Sequence, residues 1–304
     1  MTDRQQYLHN EGLFYKKAFE RNIGILTEAE QEKLRQARVA VVGCGGVGGV
    51  HILNAVRLGV GNLNIADMDV FDVVNIQRQC GAYLDTIGRN KAEVLCASAM
   101  AVNPYVKVKT FIDGVYDETV DEFLEGVDLF IDGIDFFCID MRRQLFMRAY
   151  ELGIPAVTAG PIGFGSALLV FMPGGMSFDE YFDIRDEMSY EERMIAFAVG
   201  LAPASVHLKY MNLKKVDVAK KTGPALVSSC GLASALVMTE VLRILLRRPG
   251  LRPVPHYLQL DPYLSAYKSG YLWLGNKNPV QRLKRTIVKR MLKREHRHHG
   301  ESHE

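Results

Sequence analysis

The chain has 304 residues, 48% hydrophobic and 24% charged, which suits a globular protein with a substantial core and excludes disordered and collagen-like classes. The net charge of +2 conceals a mildly acidic body and a basic C-terminal stretch from Asn278. Cys44, Cys80, Cys96, Cys138 and Cys230 are widely spaced with no C-x-x-C pair, which argues against a disulfide framework and a closely spaced cysteine zinc site. The polar N-terminus has no apolar signal region and no run reads as a bilayer span, so a reducing cytoplasm is the expectation.

In chain order, Thr27 followed by Glu30 forms a capping box and predicts a short helix to about Ala37. Arg21 precedes it and reads, on its own, as a surface arginine. Arg38-Val-Ala-Val-Val42 is a β-branched strand that stops at glycines, and His51 to Leu58 resumes at helical spacing. Gly43, Gly45, Gly46 and Gly48 lie in this turn, with 43, 45 and 48 on the G-x-G-x-x-G pattern. Such glycines bring backbone close to a phosphate at a helix N-terminus.

Asn62 to Ala66 is a second strand ending at Asp67, an acidic residue placed to hydrogen-bond a ribose. To this point a nicotinamide dehydrogenase fits equally well. Asp69, Asn75, Arg78 and Lys91 change the balance, because a cluster of Asn, Arg and Lys beside the first phosphate site suits a triphosphate and a departing pyrophosphate. Lys91 falls in the first turns of a helix from Asn90 to Val102. A strand over 106–112, a helix over 118–124 and a strand over 127–131 follow. Asp135 then stands at the carboxyl end of a buried strand, either as a ligand-facing carboxylate or as a helix N-cap. A helix through Arg142 to Leu152 and a strand over 154–158 complete an alternation that predicts a Rossmann-like, doubly wound, mostly parallel sheet.

From Gly163 the pattern changes. Ser166 to Met172 is a strand, 174–223 is a long crossover or lid segment, Pro224 to Leu246 is an apolar core helix, and strands from His256 form an antiparallel C-terminal extension. The predicted domains are an ATP-binding unit over 1–277 and a basic amphipathic tail over 278–304. In the tail, Val280, Leu283, Ile287, Val288, Met291 and Leu292 share a helical face. Such a helix suits an acidic membrane surface, RNA or an acidic partner, or it packs its apolar stripe on the body or a second subunit.

Gly43-Cys44-Gly45-Gly46-Val47-Gly48, Asp67-x-Asp69, Asn75-x-x-Arg78-Gln79, Gly88-x-x-Lys91 and Asp135 occur in the order and near the spacing of the ThiF family, which the chain resembles from about Phe19 to Tyr263. That resemblance implies adenylation: a substrate carboxylate attacks the α-phosphorus of ATP and pyrophosphate leaves. It implies phosphates on the glycine turn, ribose on Asp67, charge compensation by Asn75, Arg78 and Lys91, and Mg on Asp135. It further implies a homodimer in which Arg21 reaches the other subunit's site, and a substrate such as a ubiquitin-like carrier protein, a peptide or a small carboxylate. The chain departs from the family in having no cysteine over 178–223, no C-x-x-C pairs, Phe136 where Asn is common, and the basic tail. Cys230, on an apolar helix, reads as an inert thiol. The alternatives left standing are a tRNA-base carboxylate-activating enzyme, an NAD-dependent oxidoreductase and a catalytically degenerate ATP-binding module.

Overall fold

A computed structural model describes residues 3–212, 215–217 and 221–300. One eight-stranded sheet, in the order β3-β2-β1-β4-β5-β6-β7-β8, runs through the molecule. Its strands are β1 (Arg38–Val42), β2 (Asn62–Ala66), β3 (Lys107–Phe111), β4 (Leu129–Asp132), β5 (Ala156–Ile162), β6 (Gly165–Phe171), β7 (His256–Asp261) and β8 (Ala266–Tyr271). The first five are parallel, and β6, β7 and β8 pair antiparallel. The sheet is the doubly wound one with the antiparallel extension that the alternation of elements predicts.

The period of two along each strand decides which layer each side chain joins. Val39 and Val41 of β1, with Leu129 and Ile131 of β4, enter the core beneath α4 (Gly48–Leu58), α5 (Lys91–Val102) and α10 (Val227–Leu245). Ala40, Val42 and Phe130 enter the opposite core beneath α6 (Val120–Leu124), α7 (Ile139–Glu151), α8 (Phe178–Phe182) and α9 (Tyr190–Leu201). Residues buried on both sheet faces explain why these strands read as continuous apolar runs.

Three regions differ from the sequence-based expectation. Residues before Phe19 form α1 (Asp3–Leu8) and α2 (Glu11–Ala18), which the sequence pattern left unassigned. They are held by scattered aromatic contacts, including Phe14 with Tyr105 and the bond from Asn103 to the Tyr15 hydroxyl at 2.9 Å, rather than by a periodic apolar face. The 174–223 segment is in large part core: Phe178, Tyr181, Phe182 and Phe197 are fully buried around Phe171. Residues 213, 214 and 218–220 of that segment lie outside the described residues. Finally, α10 spans 19 residues and is long and apolar enough to cross a membrane, whereas the sequence reading found no such run. Here it lies on β5, β6 and α4, burying Ala233, Val237 and Val241 at intervals of four residues.

At the N-terminal side, α3 (Glu28–Gln36) has the capping box foreseen at Thr27 and Glu30. Glu30 also accepts from Arg248, at 2.8 Å, tying α3 to the end of α10. The basic tail forms α11 (Pro279–Gly300). Its polar side, not its apolar stripe, meets the body: Gln281 donates to the Val199 carbonyl, and Arg285 and Lys289 pair with Asp183 and Glu192. The predicted docking of the stripe onto the body is therefore corrected. The aliphatic positions are too narrow a set to cover, while α9 and its preceding loop offer carboxylates and free carbonyls instead. The side chain of Leu292 lies outside the described residues.

Candidate active site

The turn after β1 is built from backbone pressed on backbone. Gly43 has φ 87°, and a Cβ there would stand 2.1 Å from the Gly133 carbonyl oxygen. A Cβ on Gly48 would stand 1.7 Å from the Gly43 oxygen. Both positions exclude any other residue. Gly45 differs, since its nearest prospective neighbour is the Gln79 amide at 3.6 Å, an ordinary contact. No packing reason for glycine exists there, which leaves open space over the turn. Val47 caps α4 without a side-chain hydrogen bond, so no side chain competes for the free N–H groups of the first helical turn.

Asp67 pins this turn from the end of β2. One carboxylate oxygen accepts from the Cys44 N–H at 2.6 Å and the other from the Asp69 N–H at 2.9 Å. Burial raises its pKa, and these two bonds with nearby Lys91 offset part of the rise. Lys91, the first residue of α5, is 9% exposed and its ammonium lies 2.9 Å from Asp69, itself 67% exposed. A buried cation at the sheet edge is thus held by one solvent-facing carboxylate.

Asn75 is buried, and its side-chain oxygen accepts from the Asp72 N–H at 2.9 Å, while its carbonyl receives the N–H groups of Arg78 and Gln79. The loop it shapes lays Arg78 across the glycine turn, with Cγ 3.5 Å from where a Cβ on Gly46 would be. Cys230 Sγ lies 3.1 Å from the same point.

Asp135 is exposed in the loop after β4, and its carboxylate accepts from the Phe137 N–H at 2.9 Å. The N-cap reading is corrected: α7 begins at Ile139 with Cys138 as its cap and no side-chain cap bond, and Asp135 instead closes a turn just ahead of that cap. Sequence reasoning missed what holds this loop. Asp132 and Arg142, each about 3% exposed, pair at 2.8 Å, and Thr158 donates to the same carboxylate at 2.7 Å. The Arg142 guanidinium also donates to the carbonyls of Ile134 at 2.5 Å and Asp135 at 3.1 Å, and stacks 4.5 Å over the Phe197 ring. The available signal was an arginine one helical turn into α7 behind a strand-terminal aspartate. Phe136, the departure from the family pattern, packs against Phe137 and Phe197, so the larger side chain turns into the α9 layer. Burial raises the pKa of the half-buried Cys138 thiol, and the negative charge of Asp135 adds to the rise.

Arg21 is not part of this constellation within one chain. It is exposed, and the adjacent Asn22 donates to the Leu58 carbonyl at the far end of α4 at 3.4 Å. At 1.5 Å per residue, α4 puts about 16 Å between that end and the glycine turn.

The family model for the ThiF family matches residues 19–278. The chain belongs to that family. The chain is similar to a protein described as a probable adenylyltransferase/sulfurtransferase, MoeZ, of Mycobacterium tuberculosis, with 40% identity over 79 residues, 26% of this chain and 20% of that one. It is similar also to the tRNA threonylcarbamoyladenosine dehydratase of Haemophilus influenzae, with 38% identity over 92 residues, 30% of this chain and 35% of that one. The matched stretches thus span well under half of these relatives. In fold, the ThiF chain is similar to E. coli MccB, solved with AMPCPP and MccA, with a TM-score of 0.64, 18% identity, and coverage of 86% of this chain and 73% of that one.

Proposed function

We propose that this ThiF-family chain is an ATP-dependent adenylyltransferase that activates a carboxylate as an acyl adenylate. The observation that carries the reading is Arg78 lying across an open glycine turn, on the sheet edge that also carries the Asp69–Lys91 pair and Asp135. The substrate carboxylate oxygen attacks the α-phosphorus and the bond to pyrophosphate breaks. The turn and the α4 N-terminus bind the phosphates, Arg78 and Lys91 meet charge that grows on the leaving pyrophosphate, and the Asn75 amide donates nearby. Asp67 keeps lone pairs free for a ribose hydroxyl while it holds the turn. An NAD-dependent oxidoreductase would leave Arg78 and Lys91 without a role.

Among the described residues no three His, Cys, Asp or Glu side chains gather into a metal cage. A single exposed carboxylate on Asp135, with phosphate oxygens and water completing the shell, fits Mg, which would offset phosphate charge there. Arg142 would hold the Asp135 loop in place.

Arg21 would act in a homodimer, since its own cradle lies beyond reach. The exposed Ile23 and Ile25 beside it, and the exposed Val73, Val74 and Leu84 near Arg78, offer the apolar surfaces that such a two-fold contact would join. Burial raises the pKa of all five cysteines, the reverse of an activated thiolate. The adenylate is therefore passed to a separate nucleophile. Five free thiols suit a reducing, cytoplasmic setting.

The relatives span a carrier-type adenylyltransferase name and a tRNA-modification name, so the substrate is proposed at the level of class: the C-terminus of a carrier protein or peptide. Supporting this, exposed Phe164 stacks on exposed Tyr263 at 4.6 Å past the carboxyl end of β5, an apolar platform along the same sheet edge.

ATP–pyrophosphate exchange with candidate carboxylates tests the reaction. Exchange that appears with a carrier or peptide C-terminus, falls at least a hundredfold in Arg78→Ala, and returns when inactive Arg21→Ala and Arg78→Ala proteins are mixed is the expected result. Exchange absent with every carboxylate while ATP still binds would leave an ATP-binding module, and salt-sensitive exchange only with tRNA would favour the nucleic-acid substrate.

A further inference from the structure

The tail helix is inverted relative to an ordinary surface helix. Val280, Leu283, Ile287 and Met291 are between 48% and 61% exposed and fall on one face at helical spacing. The opposite face is the one that docks: Gln281 is buried, Lys284 donates to the Pro203 carbonyl at 2.6 Å, Arg285 pairs with Asp183 at 2.8 Å and Lys289 with Glu192 at 2.6 Å. These bonds fix the rotation of α11 on α9, so the aliphatic ridge cannot roll inward without breaking them. Trp273, 61% exposed, stands just before the helix.

We propose that α11 is a docking element for an anionic lipid bilayer. Within Pro279–Gly300 the sequence carries eight Lys or Arg residues against one Glu. Two such helices laid together would place like charges side by side, which disfavours a second copy as the occupant. RNA would be met by basic side chains, whereas the undocked face exposes Val280, Leu283, Ile287 and Met291. A convex aliphatic ridge flanked by exposed Arg290, which makes no ion pair among the described residues, on a helix this basic matches a surface with an acyl interior and negative headgroups. The ridge enters the headgroup–acyl boundary, and Arg290 remains at headgroup level.

Flotation of the full-length protein with vesicles tests this. Binding to phosphatidylcholine vesicles containing one-third phosphatidylserine, absent on phosphatidylcholine alone and weakened by salt, is the expected result. Leu283→Ser with Ile287→Ser should reduce it by about tenfold or more, without a change in melting temperature or ATP–pyrophosphate exchange, because neither side chain supports the body. Arg290→Gln should reduce it about twofold or more. No binding to the anionic vesicles, equal binding by the Leu283→Ser/Ile287→Ser protein, or a change of oligomeric state in that protein would overturn the proposal, the last by marking the ridge as a protein interface.

Discussion

The turn after β1 and the loop after β4 lie side by side on one sheet edge, yet they are held by opposite means. The first is fixed mainly by steric fit: Gly43 and Gly48 let backbone touch backbone, and Asp67 accepts one hydrogen bond from it, from the Cys44 N–H. The second is fixed by one side chain, the Arg142 guanidinium, which binds Asp132 and gathers the carbonyls around Asp135. The physical requirement differs. A turn that offers N–H groups to an anion must keep some of them free, so close backbone contact carries much of its rigidity, with Asp67 taking the Cys44 N–H. A loop that presents a carboxylate has carbonyls to spare, and an arginine can bind them. The helices behind the two loops follow suit. Arg142 is buried with its partners, whereas His51 of α4 is fully buried with neither ring nitrogen paired, and burial pushes its pKa down to about 3.

Breaking the second loop has the largest expected effect. Arg142→Leu leaves the Asp132 charge buried and uncompensated and should cost about 3–5 kcal/mol in urea unfolding. Pairing it with Asp132→Leu should recover more than half of that loss, while exchange activity stays low because the carbonyls around Asp135 have lost their clamp. A single-variant cost below about 1 kcal/mol would show that the loop is held by something else. Gly48→Ala attacks the first loop through its backbone. With the new methyl 1.7 Å from the Gly43 oxygen, the turn must open, at a cost near the upper end of the roughly 1–3 kcal/mol typical of overpacking, and nucleotide binding should go with it.

The two loops were not equally legible in the sequence. The first was readable because its devices are local: glycines at fixed offsets, an acidic residue at the next strand end, and Lys91 opening a helix. Asp135 was visible for the same reason, as a carboxylate at a strand end. Arg142 was not, because its role depends on Asp132 and Thr158 meeting across two strands and on Phe197 arriving from α9, contacts that no spacing rule encodes. The sheet itself followed from alternating strands and helices. The orientation of α11 did not, since its periodicity gave a stripe correctly and the side that faces the body was decided by Asp183 and Glu192 from elsewhere in the chain.

His51 gives a smaller, pH-dependent effect. A folded pKa far below the ordinary 6.5 means that its contribution is fully present above pH 6.5 and is lost as pH falls toward about 3. At pH 5 the unfolded chain gains about 2 kcal/mol from protonating this ring that the folded chain cannot match. His51→Leu should therefore gain about 2 kcal/mol on the wild type between pH 8 and pH 5. Parallel stability–pH curves for the two proteins would mean the imidazole is paired or charged in the fold.

Gly45→Ala has the smallest expected effect on stability and the sharpest bearing on the contrast between the loops. Its backbone is outside the left-handed region, and the added methyl would meet only the Gln79 amide, at 3.6 Å. Unfolding free energy should stay within about 0.5 kcal/mol of the wild type. ATP affinity should nonetheless fall by roughly tenfold or more, because the methyl would occupy the space through which a phosphate approaches the N–H groups of the turn. Set beside Gly48→Ala, it divides the glycines into those that the chain needs in order to fold and one that the ligand needs. Unchanged ATP affinity in Gly45→Ala would mean that the open space over the turn is not where the phosphates lie, and the steric account of the first loop would then describe packing alone.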